Sequence, residues 1–132
     1  GEITMAQIGY VCLGTNDFDR ATAFYDALFG EMGGKRLMPT PAGLMYRLSS
    51  GAMVMITRPH DGAPATYGNG GMLAIAVDSQ DQVAALHAKA LSLGGKCEGE
   101  PGPRGPYGDF AYFRDLDGNK LAVFFSARAA KS

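Results

Sequence analysis

The chemistry open to this chain is limited by a short supply of reactive side chains. Its 132 residues hold two histidines, His60 and His87, and two cysteines, Cys12 and Cys97. A metal centre of the zinc or iron type needs about three imidazole, carboxylate or thiolate donors converging on one point. His60 falls in a stretch dense in Pro, Gly, Asn and Asp, and His87 on the expected outer flank of a helix, so the two are not expected to meet. Cys12 and Cys97 lie in segments of strand type and read as buried, reduced thiols. The sequence has no Gly-x-Ser-x-Gly elbow and no recognisable Cys/His nucleophile pair. Gly68-Asn69-Gly70-Gly71 runs into a strand, not a helix N-terminus, and so makes a poor phosphate cradle. Asp115 and Asp117 read as turn residues bonding their own backbone, not as an acid/base pair.

The elements that must position any site follow from hydrophobic spacing. Ile8 to Thr15 is rich in strand formers. Asn16 or Asp17 then caps a helix with the apolar stripe Phe18, Ala21, Phe24/Tyr25 and Leu28, ended by Gly30, Gly33 and Gly34. Strands are expected over 35–38, 44–49 and 52–57, the last two joined by a Ser50-Gly51 turn. After the linker come a strand at 72–77 and a capping box, Ser79-x-x-Gln82, which opens a helix through Val83, Leu86, Ala90 and Leu93. Strands at 96–98, 110–114 and 120–125 follow, with a Pro- and Gly-rich loop at 101–108. The order is βαβββ twice: module 1 at about 6–58, a linker at 59–71 and module 2 at about 72–126.

The modules also align in register. Tyr10 and Met72, Leu13 and Ile75, Ala21 and Val83, and Phe24 and Leu86 are each 62 positions apart. A unit that cannot bury its own face must pair with its copy. Met5 reads as the natural start, so Gly1 to Thr4 stay outside the fold argument, and Ala127 to Ser132 reads as a short helical tail.

The most specific stretch is Tyr112 to Phe125, in which Asp117-Gly118-Asn119 reverses the chain between two strands. It closely resembles the aromatic-x-Asp-Pro-Asp-Gly-Asn-x-Leu-Glu hairpin closing domains of the vicinal oxygen chelate superfamily, which includes glyoxalases, bleomycin resistance proteins and extradiol dioxygenases. Tyr10 to Leu28 resembles that superfamily's opening segment. The resemblance implies an α+β fold of two tandem βαβββ modules, with a curved mixed sheet around a cleft and helices on the outer face. It also implies a homodimer. In the superfamily, four inward side chains hold a divalent metal, and by position they correspond here to Tyr10, Met55, Met72 and Ala122. Leu116 stands where Pro is usual and Ala122 where the metal-binding Glu is usual. None of the four is a good ligand for a hard cation, and Ala has no donor at all. No metal and no other cofactor is therefore expected.

Strand alternation then defines the pocket face. Met55 brings Met53, Met72 brings Ala74 and Ala76, Ala122 brings Phe124, and Tyr10 brings Cys12 and Gly14. The surface is apolar, with Met as an adaptable filler. Polar candidates at its edge are Tyr112, Tyr46 or Arg47, Arg114 and Arg104, with Tyr67, Asn69, Tyr107 and Asp109 supplied by loops. Arg104 could bind a carboxylate or phosphate. Tyr112 precedes Ala122 by ten residues, the spacing at which the resemblance places an active-site Tyr before the metal-binding Glu. The expected ligand-binding set is Tyr10, Arg47, Met55, Met72, Arg104, Tyr112, Ala122 and Phe124, with no catalytic residue assigned.

Lys and Arg number 12 against 13 acidic residues, for a net charge of −1. No basic stripe suggests nucleic acid, and no apolar run approaches the ~18 residues of a membrane span. Without a signal-peptide pattern the expected compartment is the cytoplasm. The favoured reading is a metal-independent protein binding a small hydrophobic or mixed-polarity ligand. Two alternatives stay open. One is a lyase, isomerase or dioxygenase with a relocated metal site, and the other is a partner-binding domain with a filled interior.

Overall fold

The computed structural model describes residues 5–127. Of the reading of Ala127 to Ser132 as a tail, all but Ala127 lies outside that range, as do Gly1 to Thr4. Module 1 runs β1 (Val11–Gly14), α1 (Phe18–Gly30), β2 (Lys35–Pro39), β3 (Gly43–Arg47) and β4 (Met53–Thr57). Module 2 runs β5 (Leu73–Ala76), α2 (Gln80–Ser92), β6 (Lys96–Pro103), β7 (Asp109–Arg114) and β8 (Lys120–Phe125), with a short 3-10 turn at Gly105–Tyr107. Each module forms its own four-stranded mixed sheet, β1-β4-β3-β2 and β5-β8-β7-β6. The architecture is the expected α+β duplication.

The register repeats as closely as the order. Cys12 lies opposite Met55 on the parallel β1–β4 pair, and Ala74 opposite Ala122 on β5–β8. Met45 faces Met55 as Tyr112 faces Ala122. Alternation sends Leu44, Tyr46, Val54 and Ile56 of one sheet, and Ala111, Phe113, Leu121 and Val123 of the other, into one core with Phe24, Tyr25, Leu28, Phe29, Val83, Leu86 and Ala90 of the helices. Burial of each large apolar side chain contributes roughly 1.5–3 kcal/mol. Asp17 caps α1 by accepting from the Arg20 amide, and Ser79 caps α2 by accepting from Gln82. No helix among the described residues is long and apolar enough to cross a membrane.

Element boundaries differ from expectation in two places. β1 is only Val11–Gly14, because β4 offers ladder partners from Val54 to Thr57 alone, and Ile8 and Tyr10 stay exposed. β6 runs on through a stretch read as loop, with register shifts at Gly99 and Gly102. It is an edge strand, and Pro101 and Pro103, which lack an N–H, are tolerated there.

The turn 115–119 does more than reverse the chain. Asp115 Oδ1 accepts from the amides of Asp117 and Asn119, both at 2.9 Å, as a self-bonded turn requires. Its Oδ2, however, takes the Tyr25 hydroxyl of α1 at 2.5 Å and the Asn119 amide group at 2.9 Å. Asn119 also donates to the Gly14 carbonyl, and Asp117 Oδ1 accepts from the Asn16 amide. Both partners belong to module 1. The closing turn is the polar lock between the modules.

Candidate functional site

Turning one face of each sheet to the helices leaves the other face open. On module 2 that face presents Phe110, Tyr112 and Arg114 of β7 beside Lys120 and Phe124 of β8, while Ala122 between them, expected to line the ligand site, is fully buried. Tyr112 lies directly across the ladder from Ala122, so their ten-residue spacing is that of a hairpin pair. Phe110 and Phe124 stack with centroids 4.8 Å apart and planes 9° from parallel, and Phe110 stacks on Tyr112 at 6.0 Å. The Lys120 ammonium and the Arg104 guanidinium lie 5.2 and 5.6 Å from the centre of the Tyr112 ring. The result is an aromatic floor with cations over it.

Module 1 contributes Cys12 of β1 and Met53 and Met55 of β4, with Tyr10 just before β1 and Arg47 exposed at the end of β3. Thr40 Oγ1 donates to Met55 Sδ at 3.4 Å. Tyr10 is 53% exposed and Met72 49%. A groove of about 230 Å³ runs along the junction of the two sheets, lined by Cys12, Gly14, Tyr67, Met72 and Lys120. A larger hollow of about 540 Å³ between the modules, lined in part by Met32, Leu48, Ile75 and Gln82, has neither an aromatic side chain nor a cation in its wall.

Several assignments need correction. Tyr46 is fully buried on the helix side, where its hydroxyl donates to Asp26 at 2.8 Å, so of the pair Tyr46 or Arg47 only Arg47 reaches the open face. Burial and the neighbouring Asp26 push the Tyr46 phenol well above its ordinary pKa. Cys12 and Cys97 are exposed, not buried: strand parity turns Cys12 to the open face, and Cys97 lies on the edge strand β6. His87 is 3% exposed, facing inward from α2, and its Nε2 lies 3.3 Å from Cys97 Sγ. A Cys/His pair that has no signature in the sequence is thus assembled by the fold.

The polar candidates divide by the bonds they already make. Arg114 pairs with Glu98 at 2.8 Å, donates to the Gly118 carbonyl and lies under the Tyr67 ring, so it braces the hairpin. That pairing holds the Glu98 carboxyl below its usual range. Arg104 donates to the carbonyls of Glu100, Gly102 and Pro103, which fixes its guanidinium against the aromatic floor. Asp109 accepts from Gln80, while Tyr107 and Asn69 are exposed on loops. Sequence reasoning missed Phe110 and Lys120. The parity rule that selected Tyr112 and Ala122 also selects these neighbours.

A family profile for the Glyoxalase/Bleomycin resistance protein/Dioxygenase superfamily matches residues 7–123. The chain belongs to that superfamily. A glyoxalase/bleomycin resistance protein from Albidiferax ferrireducens T118 is 38% identical, covers 90% of this chain with 98% of its own, and superposes with a TM-score of 0.81. A lactoylglutathione lyase from Agrobacterium tumefaciens (19% identity, coverage 94% and 96%, TM-score 0.71) shares the fold. So does the genomically encoded fosfomycin resistance protein FosX from Listeria monocytogenes (15% identity, coverage 98% and 100%, TM-score 0.73). No curated protein matches the chain.

Within the superfamily, the residues at the expected metal positions do not fit the group. Tyr10 offers a phenol, Met55 and Met72 offer thioethers with one already accepting from Thr40, and Ala122 offers nothing. Such a donor set suits neither an octahedral oxygen-loving cation nor zinc.

Proposed function

We propose that this superfamily member binds a small apolar molecule carrying an anionic group, and that it does so without a metal at the inherited positions. The observation that carries this reading is the half-buried stack of Phe110, Phe124 and Tyr112 with Lys120 and Arg104 above the Tyr112 ring. A row of stacked aromatic side chains favours an apolar ligand, and two cations at its border favour a carboxylate or phosphate on that ligand. Tyr112 supplies a hydroxyl to a ligand oxygen, and Met55, Met72 and Tyr10 supply adaptable apolar walls.

A single chain leaves these walls open, with Tyr10, Met38 and Met72 each about half exposed. A second copy laid across the open faces completes the cleft, so the binding form is a homodimer. Chemical-shift titration with a panel of aromatic carboxylates and their uncharged amides tests the reading. The acids are expected to shift Tyr112, Phe124 and Lys120 and to bind at least about tenfold more tightly than the amides, the factor that one charge-assisted bond supplies. Equal binding of acids and amides, or shifts confined to the hollow at Met32 and Leu48, would remove the assignment.

A further inference from the structure

We propose that His87, Cys97 and Glu100 form a site for one divalent cation of borderline softness, zinc being the type case, which clamps α2 to β6. The site lies on the helix side of the module 2 sheet, so it is independent of the ligand-binding reading above and of the inherited metal positions.

His87 Nε2 and Cys97 Sγ are 3.3 Å apart, Cys97 Sγ and Glu100 Oε1 are 3.4 Å apart, and all three donor atoms lie within 4.8 Å of one another. Zinc holds nitrogen at about 2.0–2.1 Å and sulfur at about 2.3 Å, and a tetrahedral angle between them sets a nitrogen–sulfur separation of about 3.6 Å. The donors already stand near the edges of such a tetrahedron.

An irregularity of the strand brings them there. In a regular strand, residues three apart point to opposite faces. Cys97 pairs with Phe113, whose side chain enters the helix-side core, while Glu98 reaches Arg114 on the open face. The ladder then shifts register, so that Gly99 is the next partner of Tyr112. The extra residue reverses the parity and returns Glu100 to the side of Cys97. A Cβ at Gly99 would lie 2.8 Å from the Tyr112 ring, so the bulge is built around glycine.

A neutral imidazole, a thiolate and a carboxylate together balance a divalent charge, and a mixed nitrogen, sulfur and oxygen set selects zinc-like ions over magnesium or calcium. His87 is buried while Cys97 and Glu100 are exposed, so the fourth position faces solvent and takes water. Binding displaces the thiol proton of Cys97.

Cobalt(II) titration of the full chain, stripped beforehand with chelator, is the test. One equivalent per chain is expected to produce a thiolate-to-cobalt charge-transfer band with the intense visible bands of a tetrahedral site, and zinc should displace it. Cys97→Ser should abolish the charge-transfer band, Cys12→Ser should retain it, and Glu100→Gln should weaken cobalt binding by at least about tenfold. Zinc should raise the thermal midpoint of the native chain and not that of Cys97→Ser. Absence of the band from a folded chain, or its survival in Cys97→Ser, would overturn the site. Should Cys97→Ser fail to fold by circular dichroism, Glu100→Gln decides, and unchanged cobalt affinity in it overturns the proposal.

Discussion

At the residue scale the most consequential group is Asp115, whose two oxygens accept four hydrogen bonds inside the closing turn and across the module boundary. Removing a buried hydrogen-bonded partner costs about 1–3 kcal/mol per group left unsatisfied. Asp115→Ala is therefore expected to lower stability by about 3 kcal/mol or more in urea unfolding, and a change under 1 kcal/mol would contradict the lock. Burial first, and Asp115 second, raise the Tyr25 phenol well above its ordinary pKa. The sign follows from linkage: a raised folded-state pKa gives stability that is complete below the unfolded value of about 10 and lost as pH rises beyond it. Thermal midpoints from pH 8 to 12 should fall above pH 10 in the native chain and fall less steeply in Tyr25→Phe. Much of this was legible, since Asp117-Gly118-Asn119 announces a turn by composition alone. The reach of Asp115 to Tyr25 was not, because nothing local encodes a partner 90 residues away.

At the element scale the strands were legible as periodicity, and their irregularities were not. The alternation of Met53, Met55 against Val54, Ile56 already separates open face from core. By contrast, Lys96 to Pro103 contains four glycine or proline residues among charged ones and resembles a loop until its edge position is known. That misreading hid the convergence of Cys97 and Glu100 and left His87 without a visible partner. Gly43 marks where two strands come closest: a Cβ there would sit 1.9 Å from the Ile56 carbonyl oxygen. Gly43→Ala must therefore push β3 from β4, at a cost expected to exceed about 2 kcal/mol, well above the ±0.5 kcal/mol of an ordinary surface change. A neutral result in chemical denaturation would show that the β3–β4 pairing is looser than described.

At the scale of the whole molecule, the duplication positions two sheet faces whose apolar side chains the described chain covers only in part. Sedimentation equilibrium should therefore report a dimer, and Met72→Asp should shift it towards monomer, since a charge buried opposite an apolar wall is costly unless paired. A native chain that stays monomeric at high concentration would contradict the shared cleft. Titration with 8-anilino-1-naphthalenesulfonate, an aromatic sulfonate anion, in excess EDTA on protein shown to melt cooperatively tests the metal-independent cleft most directly. The account predicts saturable binding that persists in the chelator and weakens at least about tenfold in Tyr112→Ala, as loss of one aromatic platform contact implies. Binding that appears only when a divalent metal is restored, or that is indifferent to Tyr112→Ala, would contradict a metal-independent aromatic cleft.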